Sequence, residues 1–565
     1  MSRCFVVIIM NLWISVVLAQ SPDEMEAIMR LKGQTEYESL DSDVVEILHD
    51  LLQNPLPINA AGRSELEASG LFTPYQIVSL EDYIVRHGAV CSMTELACVD
   101  GFTEGIVGLL APFIHIEPSA SRIPARSRVF SGDIQARAGY KAYLDKDQSK
   151  QMYGLKSKIS LAGKCVLNIA VTEPYDSSRW YPSVQTGNIT WMHSRGKVVV
   201  GDFNARFGQG LCMWNTASFS SYASPASFMR RPSGISGSNS FTGTSALTGV
   251  ASDFSFGRWM VTGLVSFPGI KAMNKSPDKL QLMPMLNLTR YGRSGHVSVT
   301  HKMSFSQFWM PTFRIPQMHT SLDASFCVKG VNVFGEVLQD WIGLKTSFLS
   351  GSEFGLGEKF RSAVLIRYLP LSNEHGLAAS GEVKAGSHEF VGALDVVYHP
   401  EPKSKDSDES YQLKAQINWN YAVTASLLLK VKLSERIRTW GVLSRTEMRA
   451  DLTYSYGNWK STVRADLLYA LEPACLGYIE AGYADSRLSA FLRYGMFAVD
   501  NWDDRIYVYE RDAPGSFNVP AFYGRGLWTS VYLSWKYSRS GSLSLRGIYK
   551  KPGNAELKIQ LGLRF

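Results

Sequence analysis

From Asn554 to Phe565 the chain alternates apolar and polar residues one by one. Leu557, Ile559, Leu561, Leu563 and Phe565 take one parity, while Lys558, Gln560 and Arg564 take the other with the small Gly562 among them. In an extended backbone successive side chains point to opposite faces, so this is a strand with one greasy side and one wet side. The pattern recurs upstream. Tyr411, Leu413, Ala415, Ile417, Trp419 and Tyr421 alternate with Gln412, Lys414, Gln416, Asn418 and Asn420. Leu427, Leu429, Val431 and Leu433 flank Lys430 and Lys432; Val531, Leu533, Trp535 and Tyr537 flank Ser534 and Lys536; Leu543, Leu545 and Tyr549 follow, with Arg546 between them. Turn signals such as Ser538-Arg539-Ser540-Gly541 and Pro552-Gly553-Asn554 separate the runs. One such strand suits a half-buried place in a soluble sheet. Many in series, each about nine to eleven residues long with aromatics near the ends, suit a membrane-spanning antiparallel barrel. Residues 129–565 accommodate roughly twenty segments, which predicts an even-stranded barrel of about 16 to 24 strands.

The other end of the chain agrees. Met1 to Gln20 carries one basic residue, Arg3, ahead of an apolar run from Phe5 to Ala19. It reads as a signal peptide over 1–19, to be set aside in fold reasoning. No later stretch approaches the run of about 18 apolar residues that a spanning helix needs. Mean hydropathy is −0.07, as expected when lipid-facing apolar side chains are balanced by a polar lumen. Six cysteines follow the signal, Cys91, Cys98, Cys165, Cys212, Cys327 and Cys475, too scattered for a zinc site. Cys91 and Cys98 are placed either to bridge or to stay as buried thiols.

Charge divides the chain. Between Ser21 and Pro118 seventeen Asp and Glu stand against Arg30, Lys32, Arg63 and Arg86, a net of −13. From Ser119 onward 53 Lys and Arg stand against 34 Asp and Glu, a net of +19. The acidic part divides into a helical segment, 20–54, with an apolar stripe of Val44, Val45, Leu48, Leu51 and Leu52, and a second unit, 55–118. In the second unit Arg63 to Ala68 predicts a short helix. Thr73-Pro74 opens another that runs to about His87, Ser92 to Glu95 forms a capping box, and Thr103 caps a last helix. Residues 119–128 read as a linker.

These residues carry two resemblances. The closing strand, with its aromatic end, resembles the last strand of Gram-negative outer-membrane barrels. Four short helices in two glycine-turned pairs resemble a tandem helix-hairpin-helix domain. The matching text is Pro57-Ile58-Asn59-Ala60-Ala61, Glu65-Leu66, Gly70, Gln76-Ile77, Tyr83, Gly88, Glu95-Leu96 and Val99-Asp100-Gly101. Together they look like a family of outer-membrane proteins that join a periplasmic helix-hairpin-helix module to a carboxyl-terminal barrel. The resemblance implies an outer-membrane location with the helical unit in the periplasm.

Competence-type DNA-uptake proteins carry the same module, where hairpin glycines let backbone N–H groups approach a phosphate. Here the hairpins read Gly70-Leu71-Phe72 and Gly101-Phe102-Thr103, each lacking the second glycine. Phosphate binding also calls for basic residues to replace counterions, and this unit is acidic. The hairpin residues are therefore candidate docking contacts first and DNA contacts second.

Three functions follow. The first is a non-enzymatic channel, translocation or scaffold barrel in which the acidic module is a plug or protein-docking domain. It rests on the opposed charges, with Lys414, Lys430, Lys432, Lys536, Arg546, Lys558 and Arg564 on the lumen-facing register. The second is DNA uptake through the hairpins, and the third a surface hydrolase. No cofactor or metal is expected: the ten histidines include no i, i+4 pair, and Gly201 to Leu211 lacks the Lys-Ser/Thr of a nucleotide loop. Asp500, Asp503 and Asp504 read as solvated loop carboxylates rather than a calcium site. The expected partners are outer-membrane lipid, lipopolysaccharide and a periplasmic protein, with nucleic acid last. The Ser/Gly-rich segment from Ala217 to Ala246 is too long for a turn and reads either as an extracellular loop or as one folded into the lumen.

Overall fold

A computed structural model describes residues 24–116, 130–144, 148–175, 183–215, 222–241, 245–267, 281–306, 316–357, 359–403 and 409–565. The expected signal peptide and linker lie outside the described residues. The chain forms a small helical head followed by a closed antiparallel barrel of 24 strands.

The head builds six helices around one apolar core: α1 (Glu24–Leu31), α2 (Ser42–Gln53), α3 (Arg63–Ala68), α4 (Pro74–His87), α5 (Met93–Leu96) and α6 (Glu104–Leu110). Their starts follow the capping chemistry. Asp41 accepts from the Asp43 N–H at α2, and the Thr73 and Gln76 side chains bond each other's backbone N–H at α4. Thr103 accepts from the Ile106 N–H at α6. The box at α5 differs in one respect. Ser92 accepts from the Glu95 N–H, but the Glu95 carboxylate reaches back to the N–H of Cys91 rather than Ser92. A parallel pair, Leu56–Pro57 with Ile114–His115, ties the two ends of the second unit together. Ile28, Leu48, Leu66, Leu80, Leu96 and Phe113 share this core, so the acidic segment and the hairpins fold as one body.

In the barrel the last strand, Asn554–Arg564, closes on the first, Phe130–Tyr143, with Leu561 opposite Ala136. Phe565 completes the seam: its N–H and carbonyl pair with Gly132, and its ring stacks on Phe130 at 5.2 Å. The strand number is the upper end of the predicted range, because connections on one rim take only two to five residues and leave the chain for strands. Connections on the rim nearest the chain termini are two to five residues long. The opposite rim carries the long ones, above all 207–246 and 500–523.

Candidate functional site

The two faces of the wall differ as a lipid-embedded barrel requires. Along Trp459–Tyr469, Val463 and Leu467 point out, Leu467 being 56% exposed, while Arg464 and Asp466 point in, Arg464 being 5% exposed. Trp459 and Tyr469 stand exposed at the two ends of that strand. In the closing strand Leu557, Ile559, Leu561 and Leu563 are exposed, whereas Lys558 and Gln560 are buried inside. An apolar outer band with aromatic ends, short turns on the rim of the termini and long loops opposite is the anatomy of a barrel in lipid. The protein is an outer-membrane β-barrel. By that anatomy the short-turn rim faces the periplasm and the long loops face outward.

No family model and no curated protein matches the sequence. Among solved structures the chain overlaps the P pilus usher PapC translocation pore at 8% identity, over 77% of this chain and 99% of that one, with a TM-score of 0.37. It overlaps the siderophore receptor PirA from Pseudomonas aeruginosa at 6% identity, over 77% and 80%, with a TM-score of 0.40. An E. coli P pilus tip assembly intermediate overlaps at 10% identity, over 79% and 63%, with a TM-score of 0.45. These overlaps are of barrel walls, and nothing about ligand or partner passes from those proteins to this one.

The head sits inside the ring of strands and bonds to several sides of it. On one side α2 meets the strand Gln148–Leu161, with Glu46 2.6 Å from Lys156 and Asp50 2.6 Å from Lys158. On another side the segment between α1 and α2 meets three consecutive strands. Glu36 lies 2.7 Å from Lys432, and Glu38 lies 2.8 Å from Arg464 and 3.1 Å from Arg449. The Tyr509 N–H also donates to Glu38, at 3.0 Å. Burial alone would raise the Glu38 pKa, but Arg449, Arg464 and this N–H outweigh it and hold the carboxyl well below the usual range. Asp50 is likewise held low, because Lys158 overcomes its burial.

On a third side α3 meets the strands Gly196–Arg206, Leu247–Phe256 and Gln281–Tyr291. Ser64 donates to Asp253 at 2.8 Å, the Lys197 ammonium donates to the Ser64 carbonyl at 3.1 Å, and the Tyr291 hydroxyl donates to Glu67 at 3.2 Å. Here the balance goes the other way. Burial, then Asp253, push the Glu67 pKa up to about 7.

The two long loops fold into the lumen and close on the head from outside. In 207–246, Glu336 of the wall accepts the N–H groups of Gln209, Leu211 and Cys212. Phe228 packs on Phe334, Leu349 and Leu365. Ser224 then donates to the Gly33 carbonyl at 2.5 Å, and Arg231 to the Leu71 carbonyl at 2.6 Å. Gly33 has a φ of +62°, and a Cβ there would stand 2.8 Å from that of Ala226, so this approach requires glycine. In 500–523, Asp512 lies 2.5 Å from Arg546 and 3.0 Å from Lys558. The Tyr509 ring packs on Tyr37 of the head in a tilted arrangement, with centroids 5.2 Å apart.

The basic residues singled out in the sequence therefore divide. Lys430 and Lys432 pair with Glu26 and Glu36 of the head, and Arg546 and Lys558 with Asp512 of the inward loop. Lys414 stands in register with Asp395 and Arg436 on the wall. Lys536 is a correction: it is exposed in a short turn on the periplasmic rim, because its strand ends at Trp535. Arg564 keeps the inner parity but lies exposed at the same rim.

The first hairpin is enclosed, while the second lies toward the periplasmic mouth with Phe102 buried and Thr103 exposed. Leu71, Phe72 and Phe102 are buried, with the rings of Phe72 and Phe102 6.1 Å apart. Phe72 occupies core where a phosphate-binding hairpin would leave space. The first hairpin's Leu71 carbonyl is bonded to Arg231, and Gly101 of the second packs on the Tyr75 ring and accepts from Gln76. Thr103 is spent on capping. Residues 85–108 instead project at the periplasmic mouth, with Val85 83% exposed. Cys91 and Cys98 there are free and exposed, not buried.

Asp504 is neither solvated nor part of a calcium site. It is buried, and its carboxylate accepts the N–H groups of Ala470, Leu471 and Glu472, pinning the loop to the neighbouring turn. Asp500 pairs with Arg525.

The inner wall also holds a hydrogen-bonded chain with no local sequence signal, because its members sit on two neighbouring strands. Ser325 meets His296 Nδ1 at 3.0 Å, and His296 Nε2 meets Asp323 at 2.7 Å. All three are buried, and the flanking backbone is committed to the strand ladder.

Proposed function

We propose that the protein is a gated channel or translocation pore of the outer membrane, with the acidic head as its plug. The observation that carries this reading is the ionic contact between head and wall on separate sides of the lumen: Glu46 and Asp50 on Lys156 and Lys158, Glu36 and Glu38 on Lys432, Arg449 and Arg464. Such contacts hold a body in place yet can be exchanged for water and counterions, unlike a continuous apolar interface. The exposed periplasmic hairpin, 85–108, offers a periplasmic protein a handle on the plug. The DNA-uptake reading gains nothing from the geometry: the first hairpin is covered by the inward loop, and the module carries −13.

A charge exchange tests the proposal. Lys432→Glu sets two carboxylates against each other at the Glu36 contact and should open the pore in planar bilayers. Adding Glu36→Lys should close it again. Closure that is indifferent to both changes would remove the plug role.

A further inference from the structure

Between the head and the inward loop 207–246 lies a cavity of about 280 Å³. Its walls come from three parts of the molecule: Lys32 and the start of α2 from the head, Arg206 from the end of a barrel strand, and Arg230 and Arg231 from the loop. Among the described residues four basic side chains thus face one small volume, and Asp41 is the one acidic residue that lines it. That carboxylate is already engaged, since it accepts from the Asp43 N–H at 2.8 Å to cap α2. The nearby Asp43 carboxylate accepts from Ser245 at 2.5 Å.

Arg206 is the informative member. It is 8% exposed, and its Nε and Nη2 have no hydrogen-bond partner among the described residues. A buried guanidinium with unmet donors is costly and calls for an explanation. Arg presents its donors as a planar fork that matches a carboxylate or phosphate. Lys32 points the same way: burial, then Arg231 and Arg206, bring its pKa down to about 7, the effect of a cationic pocket with too little negative charge. The rest of the lining mixes the polar Gln34, Ser39, Ser69 and Ser227 with an apolar and aromatic side. Leu31, Leu40, Val44 and Met229 border the space, and the Trp214 ring lies 5.2 Å from the Arg230 guanidinium.

We propose that this cavity is a binding site for a small organic anion, a carboxylate or phosphate group carried on an apolar or aromatic body. The anion sits among Arg206, Lys32 and Arg231, and the body lies against Trp214 and the apolar side of α2. The volume is just under the range of about 300–1,000 Å³ typical of drug-sized pockets, so the ligand is a compact molecule and not a polymer strand. A bound anion bridges head, wall and loop at once. The site stands whether or not the barrel conducts.

The test is calorimetry on the purified full-length protein in a neutral detergent, with phenyl phosphate, benzoate and uncharged phenol as probes. One equivalent of phenyl phosphate or benzoate should bind, with phenol at least tenfold weaker; the stronger of the two acids tells which anion the site prefers. Arg206→Met should weaken the preferred probe at least tenfold while the barrel keeps its heat-dependent gel mobility. Lys32→Met, on the head, gives the same reading should Arg206→Met fail to fold. The proposal is overturned if neither acid binds, or if binding is unchanged in the variants, as it would be for adsorption to the basic rim.

Discussion

Glu38→Ala removes the most heavily engaged carboxylate between head and wall. Glu38 accepts from Arg464 at 2.8 Å, Arg449 at 3.1 Å and the Tyr509 N–H at 3.0 Å, with the side chains of Glu38 and both arginines at most 10% exposed. Deleting one partner of a buried ion pair costs about 3–5 kcal/mol, mostly because the remaining charge stays buried without its partner. Asp451 remains beside both guanidinium groups and Glu36 beside Arg449, so the lower figure of about 3 kcal/mol applies. At 1.4 kcal/mol per decade that shifts the ratio of docked to released head by about two orders of magnitude. Hydrogen exchange read peptide by peptide should show it. Amides of α1 and α2 should exchange about a hundredfold faster, while the barrel strands keep their protection. Glu104→Ala, at the exposed mouth, should leave both unchanged. Wild-type exchange across the head in Glu38→Ala would mean that these ion pairs do not hold it.

Leu561→Arg puts a charge on the lipid side and should cost about 2–4 kcal/mol near the midplane, weakening the heat-resistant gel band, whereas Gln560→Arg, one residue away inside the wall, should keep it. Glu67 gives the docking a pH dependence. Its pKa in place is about 7 against 4.5 for the free group, so the folded state binds the extra proton and the contribution of Glu67 to docking is fullest below pH 4.5. It weakens as pH rises through 7, by on the order of 3 kcal/mol. The urea needed to release the head should therefore fall relative to that of Glu67→Gln between pH 5.5 and 8.5. Lys32, neutralised through the same range, slopes the opposite way and is common to both proteins. The isolated head should bind duplex DNA no better than the non-specific range of about 10⁻⁴ to 10⁻⁶ M at physiological salt; tight binding with a steep salt slope would revive DNA uptake.

The elements were legible wherever the determinant is local. Period-two runs such as Lys558-Ile559-Gln560-Leu561 need only their own residues to become strands with two unlike faces. Thr73-Pro74 and Thr103 start helices with bonds that span three residues. The opposed charges of head and body were legible as totals, but not as pairs. Glu36 and Lys432 are 396 residues apart, and Glu38 and Arg464 are 426 apart. Nothing near either partner encodes the meeting, which depends on closing the barrel first. The same holds for the inward loops. The segment from Ala217 to Ala246 could be placed outside or in the lumen, and only the approach of Leu71 and Lys32 of the head to Arg230 and Arg231 decides it. Asp504 misled for a related reason: three acidic residues in a loop look solvated until the neighbouring turn supplies three N–H groups. Lys536 misled because alternation does not mark where a strand stops.

Single-channel conductance in planar bilayers tests the plug most directly, comparing the full-length protein with the barrel that lacks residues 24–116. The full chain should stay closed and the headless barrel should conduct steadily. Equal conductance from the two would place the head outside the permeation path and contradict the account.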